Sequence, residues 1–153
     1  MLKIGRLAIT GLLLSLIFWW ADLGVPARGQ ELSEYGNPLT TVSIGQAIVK
    51  AEVVATPEKL YQGLGFRKGL PDGRGMLFAL SGRERQVFCM RAMAFPIDII
   101  WIAQGRVLGL EENVSHLDQA RDYCSPGPVD YVLEVPAGFS DRHGIKAGDR
   151  VSW

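Results

Sequence analysis

Val87–Ile102 reads V-F-C-M-R-A-M-A-F-P-I-D-I-I-W-I, the longest apolar run beyond the N-terminal segment. It holds one cation, Arg91, and one carboxylate, Asp98, which sits between Ile97 and Ile99. Pro96 has no N–H to give to a sheet ladder, so the run predicts two strands separated by a bend. After Ile102 comes Ala103-Gln104-Gly105-Arg106, a tight-turn composition that predicts a hairpin between 97–102 and 107–112. A β fold built around this hairpin is therefore expected, with an acid at its centre that is costly to bury unless paired or hydrogen-bonded.

Upstream, Thr41–Gly45 and Ala47–Ala55 are rich in β-branched and small apolar residues and predict two strands meeting near Gly45-Gln46. Thr56-Pro57-Glu58 supplies a cap hydroxyl, a proline at the first helical position and an early acid, the start of a helix that Gly63 and Gly65 keep short. Pro71-Asp72-Gly73 is turn chemistry. Gly75–Leu80 predicts a buried strand, and Ser81–Arg85 a charged turn. Downstream, Asn113–Pro128 is the longest irregular stretch, and a loop of that length in a compact domain is commonly functional or mobile. Tyr131–Val135 predicts a strand, Pro136–Gly144 a short helical turn, and Arg150–Trp153 a last strand. The fold class expected is mainly β, a small single-domain β-barrel-like fold of short strands with two short helices.

The 153 residues suffice for one core. Sixteen basic residues balance sixteen acidic ones, so no net field draws the chain to nucleic acid or to an anionic membrane. At the N-terminus, Lys3 and Arg6 precede an apolar run from Leu7 to Trp20, and small residues follow around Ala27 and Gly29. This is the pattern of a secretory signal, with cleavage after Ala27 or Gly29; the alternative is an uncleaved anchor with Trp19 and Trp20 at the membrane interface. Residues 1–29 are thus expected to be a signal peptide or N-terminal membrane anchor, 30–40 a linker, and 41–153 the β domain. The domain is expected to be exported, periplasmic or extracellular, touching a membrane only through residues 1–29. In that compartment Cys89 and Cys124 are a candidate disulfide. Closing a loop of about 35 residues, it would stabilise by about 3 kcal/mol; two unpaired thiols are the other reading.

T-P-E-K-L-Y-Q-G-L-G-F-R at Thr56–Arg67, L-P-D-G-R-G-M-L-F at Leu70–Phe78 and F-P-I-D-I at Phe95–Ile99 together resemble the DUF192 family of bacteria and archaea. V-D-Y-V-L-E-V-P-A-G at Val129–Gly138 and H-G-I-K-A-G-D-R-V at His143–Val151 extend the resemblance over nearly all of Val42–Trp153. It implies a compact barrel-like β fold and no particular activity. Where that family usually has an aromatic residue before its methionine, this chain has Cys89 before Met90; where it often has Lys-Asn-Thr afterwards, this chain has Arg91-Ala92-Met93.

Asp98 is either a general base or ligand anchor in a pocket, or an acid that holds loop amides or an arginine such as Arg67 or Arg91. Arg67, Arg74 and Arg91 are candidates for an anion patch, although Gly63–Gly75 lacks phosphate-loop spacing; surface solvation is the other reading. Cys89, Met90 and Met93 are the ligand types that suit Cu(I), but alternation along a strand turns residue 90 away from 89 and 93. His116 and His143 have no serine or cysteine partner by motif, and two histidines are too few for a zinc site of their own. Neither a cofactor nor a metal is therefore expected. The leading expectation is a non-catalytic accessory or binding domain for a small ligand or protein at the cell envelope, using Asp98, Arg67, Arg91 and the 113–128 loop. The alternatives are a hydrolase with Asp98 as base and a copper binder through Cys89, Met90 and Met93.

Overall fold

A computed structural model of the protein describes residues 29–153; the expected signal or anchor lies outside them. Strands β1 (Leu39–Ile44) and β2 (Ala47–Val54) form an antiparallel hairpin, and β2 leads through helix α1 (Pro57–Gln62) into β3 (Arg74–Glu84). β2 and β3 are parallel neighbours, which is why a crossover rather than a tight turn joins them. β4 (Val87–Cys89) and β5 (Ile97–Ala103) are separate strands on either side of Pro96, as the proline required. β6 (Arg106–Val114), β7 (Asp122–Cys124), β8 (Val129–Pro136), helix α2 (Phe139–Arg142) and β9 (Val151–Ser152) complete the chain.

Seven strands make one sheet in the order β6-β5-β8-β3-β2-β1-β9, while β4 and β7 pair as a separate ribbon. The large sheet curls until its ends approach. Val107 and Val151 donate backbone N–H groups to Asp149 and Gly105, at 2.9 and 2.8 Å, and Gly148 donates to Val107 at 2.8 Å. The result is a curled half-barrel with two short helices. The β5–β6 turn has Gln104 and Gly105 both at positive φ, 51° and 68°, the two-residue turn whose twist suits a hairpin.

β5 is buried at all seven positions, so both of its faces need cover. On one side Ile100 and Ile102 pack with Val42, Val49, Leu77, Leu133 and Phe139. On the other, Ile97, Ile99 and Trp101 pack with Met76, Phe78, Met90 and Val132. This second core lies beneath the α1 segment and the β4–β7 ribbon; Phe88 of the ribbon meets Phe78 and Trp101 edge-on, at 5.0 and 5.5 Å between ring centroids.

Three local expectations change. β3 continues through Ser81–Glu84, read from sequence as a turn, because those exposed polar residues carry no apolar signal; Glu84 still pairs with Val129. The 113–128 loop contains β7. Residues 30–40, expected as a linker, fold onto the sheet: Leu32 bridges Pro38, and Leu39 and Thr40 already belong to β1.

Candidate functional site

Asp98 lies on the β5 face towards α2, with no exposed surface. One carboxylate oxygen accepts the backbone N–H groups of Asn113 and Gly138 at 2.8 and 3.0 Å, and the other accepts that of Ser140 at 2.8 Å. Three converging amides replace the water that burial removes. The acid ties the end of β6 and the α2 entry to β5. Enclosed in this way, it has no room for a substrate, which corrects its expected role as base or ligand anchor.

Arg67 is also buried, on the opposite face of the sheet. Its guanidinium forks onto Glu52 of β2, Nη1 to Oε1 at 2.5 Å and Nη2 to Oε2 at 3.0 Å. Tyr35 stacks 3.7 Å over the guanidinium, and Asn37 and Ser33 donate side-chain hydrogen bonds to Glu52 at 2.7 and 2.9 Å. Burial pushes the Glu52 carboxyl up, but the hydrogen bonds from Arg67, Asn37 and Ser33 and the Arg67 charge outweigh it and leave the group below its ordinary value. Arg67 therefore serves as a clamp, with its fork already filled; this corrects its reading as a free ligand-binding arginine.

The register places a second acid in the same row. Glu52 is opposite Met76, and Met76 is opposite Glu134 of β8, so the two acids share a face two strands apart, roughly 9–10 Å between Cα atoms. Glu134 is only 6 % exposed, and its Oε2 has no hydrogen-bond partner. Burial, only partly offset by the Arg67 charge, pushes its carboxyl up to about 8. Burial thus favours its protonated, neutral form, in a wall it shares with aromatic and sulfur side chains.

That wall belongs to a cleft of about 420 Å³ between the α1 segment and β4. Phe78, Phe88 and Met93 line it together with Glu134, and Tyr61 and Phe66 stand at its mouth, 86 % and 84 % exposed. Phe66 adopts φ +64°, a conformation rare for a bulky residue. Its N–H is held by the Ala92 carbonyl at 2.9 Å, and Ala92 itself lies at φ +60°. Two left-handed residues bonded to each other thus fix the backbone from which the Phe66 ring projects at the mouth. Strain of this kind clusters at ligand clamps.

Of the residues expected at a site, Arg91 does line the cleft, at an exposed position. Asp98 and the 113–128 loop do not line it, so the expected combination of Asp98, Arg67, Arg91 and that loop is not one surface. Cys89 and Cys124 are both free and exposed, which corrects the disulfide expectation. β4–β7 register opposes Val87 to Cys124 and Cys89 to Asp122, leaving the cysteines diagonal, about 7–8 Å apart at Cα and too far to bridge without moving backbone. Cys89 and Met93 line the cleft, whereas Met90 is only 1 % exposed within the second core; the three sulfurs do not form one centre. Among the described residues no cluster of three or more His, Cys, Asp or Glu is placed to hold a metal.

Sequence reasoning missed Glu134 and Glu52. The signal was there in V-L-E-V and A-E-V-V, acids set among strand apolars just as Asp98 is.

A family model, DUF192, described as Uncharacterized ACR, matches residues 40–153. Among the crystal structures that share the fold, two are similar in sequence as well. One is a protein of unknown function from Novosphingobium aromaticivorans DSM 12444, 29% identical, with TM-score 0.77, covering 83% of this chain and 94% of that one. The other is described as "a putative transcription regulator" from Sinorhizobium meliloti 1021, 28% identical, with TM-score 0.72, covering 80% and 96%. No curated protein matches the chain.

Proposed function

The chain belongs to the DUF192 family, and for it we propose a non-catalytic function: binding a small ligand in the Glu134 cleft. The observation that carries this reading is the Glu134 carboxyl, buried, unpartnered at Oε2 and lining an apolar cleft with exposed aromatics at its mouth. A buried polar atom without a partner costs about 1–3 kcal/mol, a cost that a ligand group would relieve. Apolar walls with a few convergent polar groups are the usual make-up of a small-molecule site. The neighbouring acid, Glu52, is saturated by Arg67, Asn37 and Ser33, and Glu134 makes no hydrogen bond to Cys89, the thiol that lines the cleft; an acid not coupled to a nucleophile favours binding over hydrolysis.

The place of action belongs to the same proposal. The basic start and apolar run of residues 3–20 support work outside the cytoplasm, at the cell envelope. Fractionation followed by intact-mass measurement tests it: an envelope form beginning after Ala27 or Gly29 agrees, and a full-length cytoplasmic form contradicts it. For binding, the test is a fragment screen by thermal shift on wild type and Glu134→Gln. Hits that lose at least tenfold affinity in the variant support the site; hits indifferent to Glu134 and to Phe66→Ala would place binding elsewhere and refute it.

A further inference from the structure

We propose that the cleft takes a monocationic ligand, an ammonium carried on an aromatic or aliphatic body, with its nitrogen seated against the Glu134 carboxylate. This rests on the binding reading above and names the chemistry of the ligand. The first argument is a charge count. The buried row holds two acids, Glu52 and Glu134, and one guanidinium, Arg67, whose two terminal nitrogens both go to Glu52. The neutral donors Asn37 and Ser33 also go to Glu52. The row is one positive charge short, and the shortfall falls on Glu134. A buried charge is tolerated when it is paired; without a partner Glu134 keeps its proton, and a cationic ligand would take the proton's place.

The second argument is the lining. Tyr61, Phe66, Phe78 and Phe88 all face the cleft, and aromatic faces attract an ammonium, more strongly once it is desolvated. The Phe66 backbone is held at the mouth by its hydrogen bond to Ala92, so little main-chain ordering is left to be done on binding. Arg91, exposed at the rim, disfavours a second positive charge, hence one cation and not a diamine. A carboxylate ligand would hold Glu134 in its protonated form rather than replace the proton, and a hydroxyl would satisfy the hydrogen bond without displacing it.

The exchange balances as Glu134 carboxylic acid plus free ammonium giving the carboxylate–ammonium pair and one released proton. Affinity must then rise with pH until Glu134 ionises without help. The ionisable groups around it are Glu52 from β2, Arg67 from the segment after α1, Tyr61 of α1, Cys89 of β4 and Arg91 after β4; β3 and β5 present the non-ionising Met76 and Ile99 on either side.

The test compares 2-phenylethylamine, 2-phenylethanol and 3-phenylpropanoate by calorimetry between about pH 6 and 8. The methyl resonance of Met93, which lines the cleft, reports location, with those of buried Met76 and Met90 for comparison. The amine is expected to shift Met93 and to bind at least tenfold more tightly than the other two near pH 8. Its affinity is expected to fall by about tenfold per pH unit below that. Glu134→Gln, close to isosteric, should remove both the preference and the slope. If that variant does not fold, Phe66→Ala, at an 84 % exposed position, should weaken the amine several-fold more than the alcohol. Equal binding of amine and alcohol at the cleft with a flat pH profile overturns the cationic inference and leaves the binding reading standing. No shift of Met93 with any of the three probes overturns both.

Discussion

Three buried acids lie in this sheet, and their surroundings give them three roles. Asp98 is a knot for backbone amides. Asp98→Asn puts an NH₂ against amide donors, so a loss of roughly 2–4 kcal/mol is expected in chemical denaturation, with ligand affinity in the Glu134 cleft unchanged; a loss of binding without a loss of stability would restore Asp98 as a site. Arg67 neutralises Glu52 and steadies Glu134, so Arg67→Ala leaves two buried acids without a cation and should cost about 3–5 kcal/mol on the same assay. Glu134 shows itself through pH. Its folded value of about 8 lies above its ordinary 4.5, so the folded state binds the extra proton between those values and stability falls as pH rises through that window. Wild type should therefore lose stability between about pH 5 and 8, by an amount on the order of 5 kcal/mol at most, while Glu134→Gln stays flatter; parallel profiles would contradict the assignment. Asp98 stood out in the sequence because isoleucines surround it. Its partners did not, since Asn113, Gly138 and Ser140 come from other parts of the chain and contribute only main-chain N–H groups, which side-chain identity does not reveal.

Among the elements, the α1 segment and the residues after β4 form the cleft, and their meeting point is the Phe66–Ala92 backbone bond. Thr56 and Pro57 made the helix legible: the Thr56 hydroxyl accepts the Lys59 N–H at 3.4 Å and the proline begins the first turn. Pro96 likewise divided β4 from β5. The left-handed pair was not legible, because neither phenylalanine nor alanine favours positive φ. At Ala92 the resemblance does carry meaning, since the asparagine often found at that position in DUF192 relatives tolerates this conformation better. Ala92→Asn should therefore stabilise the fold by about 1 kcal/mol, read from the denaturation midpoint, and a destabilised variant would show that the φ of Ala92 is not strained. β7 escaped the sequence reading for a different reason: three residues within a polar loop have no periodicity, and they form a strand only because β4 is there to pair with.

At the scale of the whole molecule, the half-barrel needs apolar residues on both faces of its central strands. That requirement was legible in the unbroken I-I-W-I of β5 and the V-L-E-V of β8. Hairpin positions, β class and every strand but β7 followed from such runs and from the turn residues between them. Sheet order did not, because the β2–β3 parallel crossing and the placing of β8 between β3 and β5 join segments far apart in the chain. The cleft depends on that order, since only the row Glu52–Met76–Glu134 brings two acids to one guanidinium and leaves one of them free. Everything proposed for the cleft turns on Glu134 being an unpaired acid that burial keeps protonated. Carbon-13 NMR titration of its side-chain carboxyl measures this most directly. A midpoint of about 8 is expected in the free protein, moving down when 2-phenylethylamine is added. A midpoint in the ordinary glutamate range, unmoved by the amine, would contradict it.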